Sequence, residues 1–287
     1  MMDGGYDLIC VLGPTASGKT RYAVQLARTL AGEILSGDSR QVYRGMDIGT
    51  GKDLAEYGEV PYHLIDIVDA GTKYNIFQYQ HDFERAYRDI VERGRTPILC
   101  GGSGLYIEAA TCGYHLPDVP PDPALRAELE TLPTETLIAR YEALRTPHNT
   151  TDYDTRQRLI RALEIAVYET THPVTRTAFL PRNTRYIGIA VSREERNARI
   201  DRRLRARLDE GLVEEVRGLL ESGLRPEDLL YYGLEYKYVT LYLTGALTYD
   251  EMVDRLQTAI HQFAKRQMTW FRGMERKGIK IEWITPA

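Results

Sequence analysis

The chain has 287 residues, 43% of them hydrophobic and 27% charged, with a formal net charge of −4. That length suits one large domain or a core with an inserted unit, and the composition excludes disordered and fibrous classes. No stretch approaches the roughly 18 apolar residues that span a bilayer, and residues 1–12 lack a basic signal-peptide segment, so a cytosolic protein is expected.

Residues 7–12 form a short apolar run closed by Gly13 and Pro14, the pattern of a buried parallel strand. Residues 19–30 read as a helix, 33–36 as a second strand and 62–67 as a third. An amphipathic helix is expected over 77–93, then a buried strand over 96–100 and a helix from Leu105. Strands alternating with helices indicate an α/β domain with a mostly parallel sheet. Near Leu116 the pattern changes: Pro117, Pro120, Pro121 and Pro123 mark a boundary. Helices follow near 123–131, 134–144 and 154–168 before strand-like sequence returns at 186–191. A helical insertion at 116–184 is therefore expected within an α/β core formed by 1–115 and 185–287. The remainder reads as helices over 193–222, 227–244 and 249–270, with a last strand at 279–284.

The segment Gly13, Pro14, Thr15, Ala16, Ser17, Gly18, Lys19, Thr20 matches G-x-x-x-x-G-K-[ST] between a strand and a helix. Glycines let the backbone curl so that N–H groups face phosphate oxygens, and the helix N-terminus adds its dipole. Lys19 supplies a full charge, and the Thr20 hydroxyl can ligate Mg²⁺. The loop alone would hold ATP, GTP or an allylic diphosphate equally well. Asp38 follows the second strand at the sheet edge where open α/β folds place their sites. It suits a metal ligand, a general base or a turn cap. Gly101, Gly102, Ser103 and Gly104 repeat that geometry, fitting either close approach to an anion or a plain turn with an N-cap serine. Cys10, Cys100 and Cys112 have no metal spacing and read as buried or idle thiols.

Between Arg140 and Arg207 there are 15 Arg, no Lys and 8 Asp plus Glu, so this segment carries +7 and the remainder −11. This is either a footprint for a polyanion or a set of solvated mixed-charge helices. Arg199 with Arg203, and Arg158 with Arg161, fall on common helix faces. Lys265, Arg266, Gln267, Trp270 and Arg272 interleave cations with an indole, a pattern that suits a phosphate plus a stacked base. Residues such as Trp270 and Phe271 are more often core.

In chain order these motifs resemble the tRNA dimethylallyltransferase (isopentenyltransferase) family. The resemblance covers 13–20, Asp38-Ser39 with 42–50, 63–66, 101–106, 161–164 and 265–272. It implies a P-loop NTPase-like core in which 13–20 grips the diphosphate of dimethylallyl diphosphate rather than ATP. It further implies Mg²⁺ as cofactor, Asp38 as general base for the adenine N6 amine, and Ser103, in place of a usual threonine, beside the leaving diphosphate. Arg199 and Arg203 are implied to neutralise that diphosphate. Contacts to the tRNA anticodon stem-loop would come from Asp38, Ser39, Arg40, Gln41, Ser103, Arg126, Gln157, Arg158, Leu159, Ile160, Arg161, Lys265, Arg266, Gln267, Trp270 and Arg272. Tyr43 and the Gly49-Thr50 turn are implied to shape a tunnel for the base. A monomer of the short bacterial type, lacking a C-terminal zinc finger, is expected.

The chain departs from the family pattern at Ser103, at Glu108 where lysine is common, in the loosely matching 232–237 loop, and at 148–152. The rival readings are a P-loop kinase for a small metabolite, an adenylate isopentenyltransferase acting on free nucleotide, and a non-catalytic RNA-binding P-loop protein.

Overall fold

A computed structural model describes residues 5–114, 118–144, 155–172 and 183–285. The 148–152 segment, where the sequence departs from the family pattern, lies outside the described residues. The chain divides into two compact units, Met1–Tyr114 with Phe179–Ala287, and His115–Ala178.

The first unit is built on a six-stranded sheet. Its strands are β1 (Leu8–Leu12), β2 (Gly32–Ser36), β4 (Tyr62–His63), β6 (Thr96–Gly101), β7 (Thr184–Ile189) and β8 (Ile281–Ile284). The order is β4-β2-β6-β1-β7-β8 and every pairing is parallel. β1, β2 and β6 are buried along their whole length, which is why they read as continuous apolar runs rather than as alternating ones. Successive side chains divide between the two faces. Leu8, Cys10, Leu12, Leu35 and Leu99 join one core cluster, while Ile9, Val11, Ile34, Ile98 and Cys100 join the other. The second cluster packs on Ala23, Val24 and Ala27 of α1 (Lys19–Leu30). The first packs on α2 (Ile76–Glu92) and on helices from the second half of the chain. Because the sheet is parallel, β1, β6 and β2 end side by side, with Leu12 opposite Gly101 and Ser36 opposite Cys100. The loops after these three strands carry the P-loop, Ser103 and Asp38.

The remaining elements follow α3 (Gly104–Thr111). They are α7 (Arg193–Asp209), α8 (Leu212–Glu221), α9 (Pro226–Leu229), α10 (Leu234–Leu243) and α11 (Tyr249–Arg276). Two of the expected long helices are each divided. The 193–222 stretch breaks at Gly211 (φ 105), and the 227–244 stretch breaks at Gly233 (φ 135). The last helix runs six residues beyond its expected end at 270, and Thr248 and Glu251 form a capping box at its start.

The strand expected over 62–67 is a second correction. Only Tyr62–His63 pairs with β2. Leu64 (φ 65) and Asp66 (φ 56) then take the left-handed conformation, which costs a non-glycine residue about 1 kcal/mol or more. The turn redirects the chain into β5 (Val68–Asp69), which pairs with β3 (Tyr43–Arg44). It also brings the Asp66 carboxylate to the ammonium of Lys52, a side chain only 1% exposed that also donates to Asp47 (2.5 Å) and to the Tyr43 carbonyl (2.6 Å). The Asp66 carboxylate is thus committed to this buried lysine.

Glu33 on β2 is a buried carboxylate with two partners, Arg93 Nη2 and His63 Nε2, both at 2.7 Å. Burial pushes its carboxyl up, but the hydrogen bonds from Arg93 and His63 outweigh this and hold it below the usual 4.5. A depressed folded-state pKa means that ionised Glu33 stabilises the fold above the unfolded value. That contribution is lost as the pH falls through the folded one. Glu33→Gln should therefore make the melting temperature fall less steeply than in the wild type as the pH drops below 4.5. Parallel melting curves for the two proteins would remove this carboxylate from the acid sensitivity of the fold.

The second unit holds α4 (Pro123–Glu130), α5 (Thr134–Leu144) and α6 (Arg156–Thr171). They bury a small core of Leu129, Leu137, Tyr141, Leu159, Ile160 and Leu163. Asp122 caps α4 by accepting the Ala124 and Leu125 amides at 3.0 Å, with Pro123 in the first turn. Among the described residues no helix is long and apolar enough to cross a membrane.

Candidate active site

The P-loop leaves β1 and feeds α1, so the Lys19 and Thr20 side chains sit at the carboxyl edge of the sheet. Ala16 (φ 60) and Gly18 (φ 87) curl the loop. Lys19 Nζ lies 3.5 Å from the Pro14 carbonyl, a long contact. Desolvation lowers the Lys19 pKa, so the site gains from an anion that restores its charge balance. Thr20 lines the same cavity, with its hydroxyl against the Cys100 thiol. Cys10 and Cys100 are buried, as the sequence suggested, while Cys112 is half-buried.

Asp38 and Ser103 meet because their loops approach closely. A Cβ on Gly101 would stand 2.3 Å from the Gly37 carbonyl oxygen, so only glycine admits this contact. The Ser103 amide donates to Gly37 O at 3.3 Å, and the Ser39 amide donates to Ser103 Oγ at 3.2 Å. Ser103 occupies the N-cap position of α3, but its hydroxyl makes no capping bond and faces the Asp38 loop instead. Asp38 Oδ1 accepts the Arg40 amide at 2.9 Å. The turn-cap reading of Asp38 therefore holds for one oxygen, while the residue itself lines the cavity. Gln41 is held from both ends of its amide, accepting from Ser36 Oγ at 2.9 Å and donating to Gly51 O at 3.1 Å. The Arg40 guanidinium lies 5.0 Å from the ring centre of Tyr231.

These loops open on a cavity of about 610 Å³. Its cationic wall includes Arg203 and Arg207 of α7, while Arg199, on the same helix, is not among the lining residues and meets the P-loop from outside. Arg199 Nη1 donates to the Ser17 carbonyl of the P-loop at 3.2 Å and pairs with Glu195. Arg203 pairs with Asp53 and reaches Gly51 O at 3.4 Å. Its apolar wall includes Tyr106, Leu230, Tyr231, Ile260 and Phe263. Gly49 and Thr50 line it, as implied for the base tunnel, but Tyr43 does not. Tyr43 is 1% exposed and packs edge-on against Tyr232 at 4.6 Å. Sequence reasoning missed Glu215 of α8, which accepts the amides of Asp47 (2.8 Å), Ile48 (2.7 Å) and Gly49 (3.0 Å) and so fixes this turn. No local pattern could have revealed a partner that far along the chain.

Helix α11 divides the residues assigned to it. Lys265, Arg266 and Arg272 are exposed, and Arg266 lines the cavity. Gln267 is different. It is 7% exposed, its Oε1 accepts the Thr15 amide at 2.8 Å, and its Nε2 donates to Gly102 O at 2.9 Å. Its amide is thus a strut between the P-loop and the Ser103 loop, and the residue also lines the cavity. Trp270 is 40% exposed at the cavity, with its indole N–H donated to Glu108 at 2.7 Å. Glu108 is 1% exposed and also accepts from Lys277 at 2.7 Å, so this departure from the family pattern anchors the indole. Phe271 is core.

Within the second unit, Leu159 and Ile160 are 0% and 4% exposed. Their expected contacts with RNA are corrected, since helical periodicity turns both toward the small core. Arg126 forms two 2.7 Å bonds to the buried Glu164. Arg161 donates to the same carboxylate at 3.1 Å and to the Val119 carbonyl at 2.6 Å. These two arginines hold the helices together and keep only part of their surface for a ligand. Gln157 and Arg158 are exposed. Among the described residues no group of three or more His, Cys, Asp or Glu side chains forms a metal cage.

A parallel α/β sheet with a P-loop after β1, a carboxylate after β2 two strands away and arginines from α7 places the protein in the P-loop class of folds. The family model described as IPP transferase matches residues 41–274, and that of isopentenyl transferase matches 6–61. The chain belongs to the IPP transferase family. It is 58% identical over 286 residues to tRNA dimethylallyltransferase 1 of Parabacteroides distasonis, spanning 97% of this chain and 92% of that protein. It is 60% identical over 284 residues to tRNA dimethylallyltransferase 2 of Porphyromonas gingivalis, spanning 96% and 93%. Among solved structures, the full-length tRNA isopentenylpyrophosphate transferase of Bacillus halodurans superposes with a TM-score of 0.70 at 36% identity, covering 97% of this chain and 89% of that one. A eukaryotic dimethylallyltransferase acting on tRNA gives a TM-score of 0.77 at 25% identity, covering 97% and 74%.

Proposed function

We propose that this protein transfers a dimethylallyl group from dimethylallyl diphosphate to N6 of an adenosine in tRNA, the one just 3′ of the anticodon, and releases diphosphate. The observation that carries the reading is one cavity lined by Lys19, Arg203 and the Asp38 carboxylate together. The adenine amine is a weak nucleophile, because its lone pair is conjugated with the ring. Attack becomes feasible as the allylic C–O bond breaks and cation character grows at carbon. Lys19, the P-loop amides and the arginines lower the energy of the departing diphosphate. The N6–C bond forms as the C–O bond breaks, and Asp38 takes the N6 proton. Ser103, which holds the Ser39 amide, keeps the Asp38 loop in place. The base must leave its stack to enter the cavity.

Magnesium fits this donor set. Mg²⁺ is ordinarily held by one or two protein oxygens plus substrate phosphates, and the Thr20 hydroxyl with the diphosphate oxygens would supply such a set. When bound, the ion would neutralise charge on the leaving diphosphate. Gln157 and Arg158, with Lys265, Arg266, Trp270 and Arg272, are assigned to tRNA on exposure and charge. We read the enzyme as a cytoplasmic monomer, the compartment following from its substrate.

The experiment is a side-by-side incubation with dimethylallyl diphosphate and either an anticodon stem-loop or AMP at matched concentration, followed by mass analysis of the nucleosides. The stem-loop should gain the prenyl group and AMP should not. A lone nucleotide fills only the pocket near Asp38 and forgoes the remote contacts that offset base flipping. Comparable turnover of AMP would replace this reading with a free-nucleotide enzyme.

A further inference from the structure

Arg207 takes no part in the chemistry described so far. It is the third arginine at four-residue spacing on α7 after Arg199 and Arg203, one helical turn beyond Arg203. Its side chain is only 10% exposed, yet it lines the cavity. Among the described residues it forms an ion pair with Glu235 at 3.6 Å, too long for a hydrogen bond, and its guanidinium makes no hydrogen bond. A guanidinium carries five donors, and no Arg207 nitrogen is among the fully enclosed polar atoms that lack a partner, so its free donors remain open to the cavity it lines.

Its surroundings sharpen the point. Arg207 Nη2 stands 1.6 Å and Arg203 Nη2 2.6 Å from where a Cβ on Gly51 would be, so the two guanidinium groups are immediate neighbours. Gly51 is at φ +62, and any side chain there would displace both. Two cations this close, partly out of water, repel unless an anion lies beside them. Asp53 answers Arg203. Glu235 is a distant answer for Arg207, its carboxylate standing 3.6 Å away. Burial, and then Arg203, lower the pKa of Arg207 itself.

We propose that Arg207 and Arg203 together form a seat for a phosphoryl group in the cavity, the chemistry of the donor's diphosphate, with Glu235 holding Arg207 until the anion arrives. The inference rests on the function proposed above and adds a binding residue that the family resemblance did not supply. The test is calorimetric titration of inorganic diphosphate into the wild type, Lys19→Ala, Arg207→Met, Glu235→Gln and the double variant Arg207→Met with Glu235→Gln, with melting temperatures recorded for each. Arg207→Met alone strands a buried carboxylate and can fail to fold, and the double variant removes that problem. The double variant should melt close to the wild type yet bind diphosphate on the order of 10–100-fold more weakly. If Arg207 merely neutralises Glu235, the double variant binds diphosphate as the wild type does, and the seat is refuted. Weaker binding of an RNA stem-loop with undiminished diphosphate affinity would overturn the assignment to the donor and give the seat to an acceptor phosphate. Loss in the double variant with normal binding by Lys19→Ala would keep the seat and sink the P-loop reading, and the reverse would sink the seat alone.

Discussion

Replacing Asp38 with Asn should slow prenyl transfer by about 10²–10⁴-fold, the range for a positioned base, with diphosphate affinity close to that of the wild type. The substitution is nearly isosteric and keeps an Oδ1 acceptor for the Arg40 amide, which Asp38 holds at 2.9 Å. The loop should therefore keep its shape and lose only the ability to accept a proton. Single-turnover rates at saturating donor report the chemical step, and a separate titration reports donor affinity. A defect confined to donor or Mg²⁺ affinity would make Asp38 a metal ligand. Ser103→Ala provides the comparison. It removes one 3.2 Å bond from the Ser39 amide and should cost less than loss of the base.

The parts of this protein legible in its sequence are those whose physics is local. β1 and the P-loop follow from an apolar run, a glycine-bounded loop and a helix start within one short segment. Asp38 and Ser103 were placed at strand ends, and the parallel sheet brings those ends together whatever the loop details. The parts not legible there depend on distant partners. The 62–67 stretch has strand composition, but Leu64 and Asp66 adopt positive φ so that Asp66 can meet the buried Lys52. Gln267 lies in a segment rich in cations, and its neighbours Lys265 and Arg266 are exposed. Its own role as a strut appears only once α11 is seen to pass the P-loop and the Ser103 loop. Other differences carry a local signal. Gly211 and Gly233 are visible helix breakers, and α6 spacing alone puts Leu159 and Ile160 on its buried side. Arg207 continues the four-residue series of Arg199 and Arg203, so its place on the same helix face was readable as well.

Lys19→Ala should weaken diphosphate binding by roughly two orders of magnitude or more, the scale of losing a desolvated, charge-assisted contact, while stem-loop binding stays largely intact. The lysine ammonium is held inside the cavity with only a 3.5 Å contact to the Pro14 carbonyl, and burial has already lowered its pKa. A charge kept in that condition gains far more from an anion than a solvated surface lysine would, because little water remains to screen the pair. The acceptor stands on other ground. Lys265, Arg266 and Arg272 are exposed on α11, and Arg158 is exposed on α6. A phosphate backbone meeting them loses nothing when Lys19 is truncated. Calorimetry with dimethylallyl diphosphate and a fluorescence titration with a labelled stem-loop separate the two effects in the same variant. If donor affinity barely changes, the arginines of α7 carry the diphosphate by themselves and the P-loop is not its site. If stem-loop affinity falls in step with donor affinity, the two substrates share one locus, and the division of the cavity between a phosphate end and a base end is wrong.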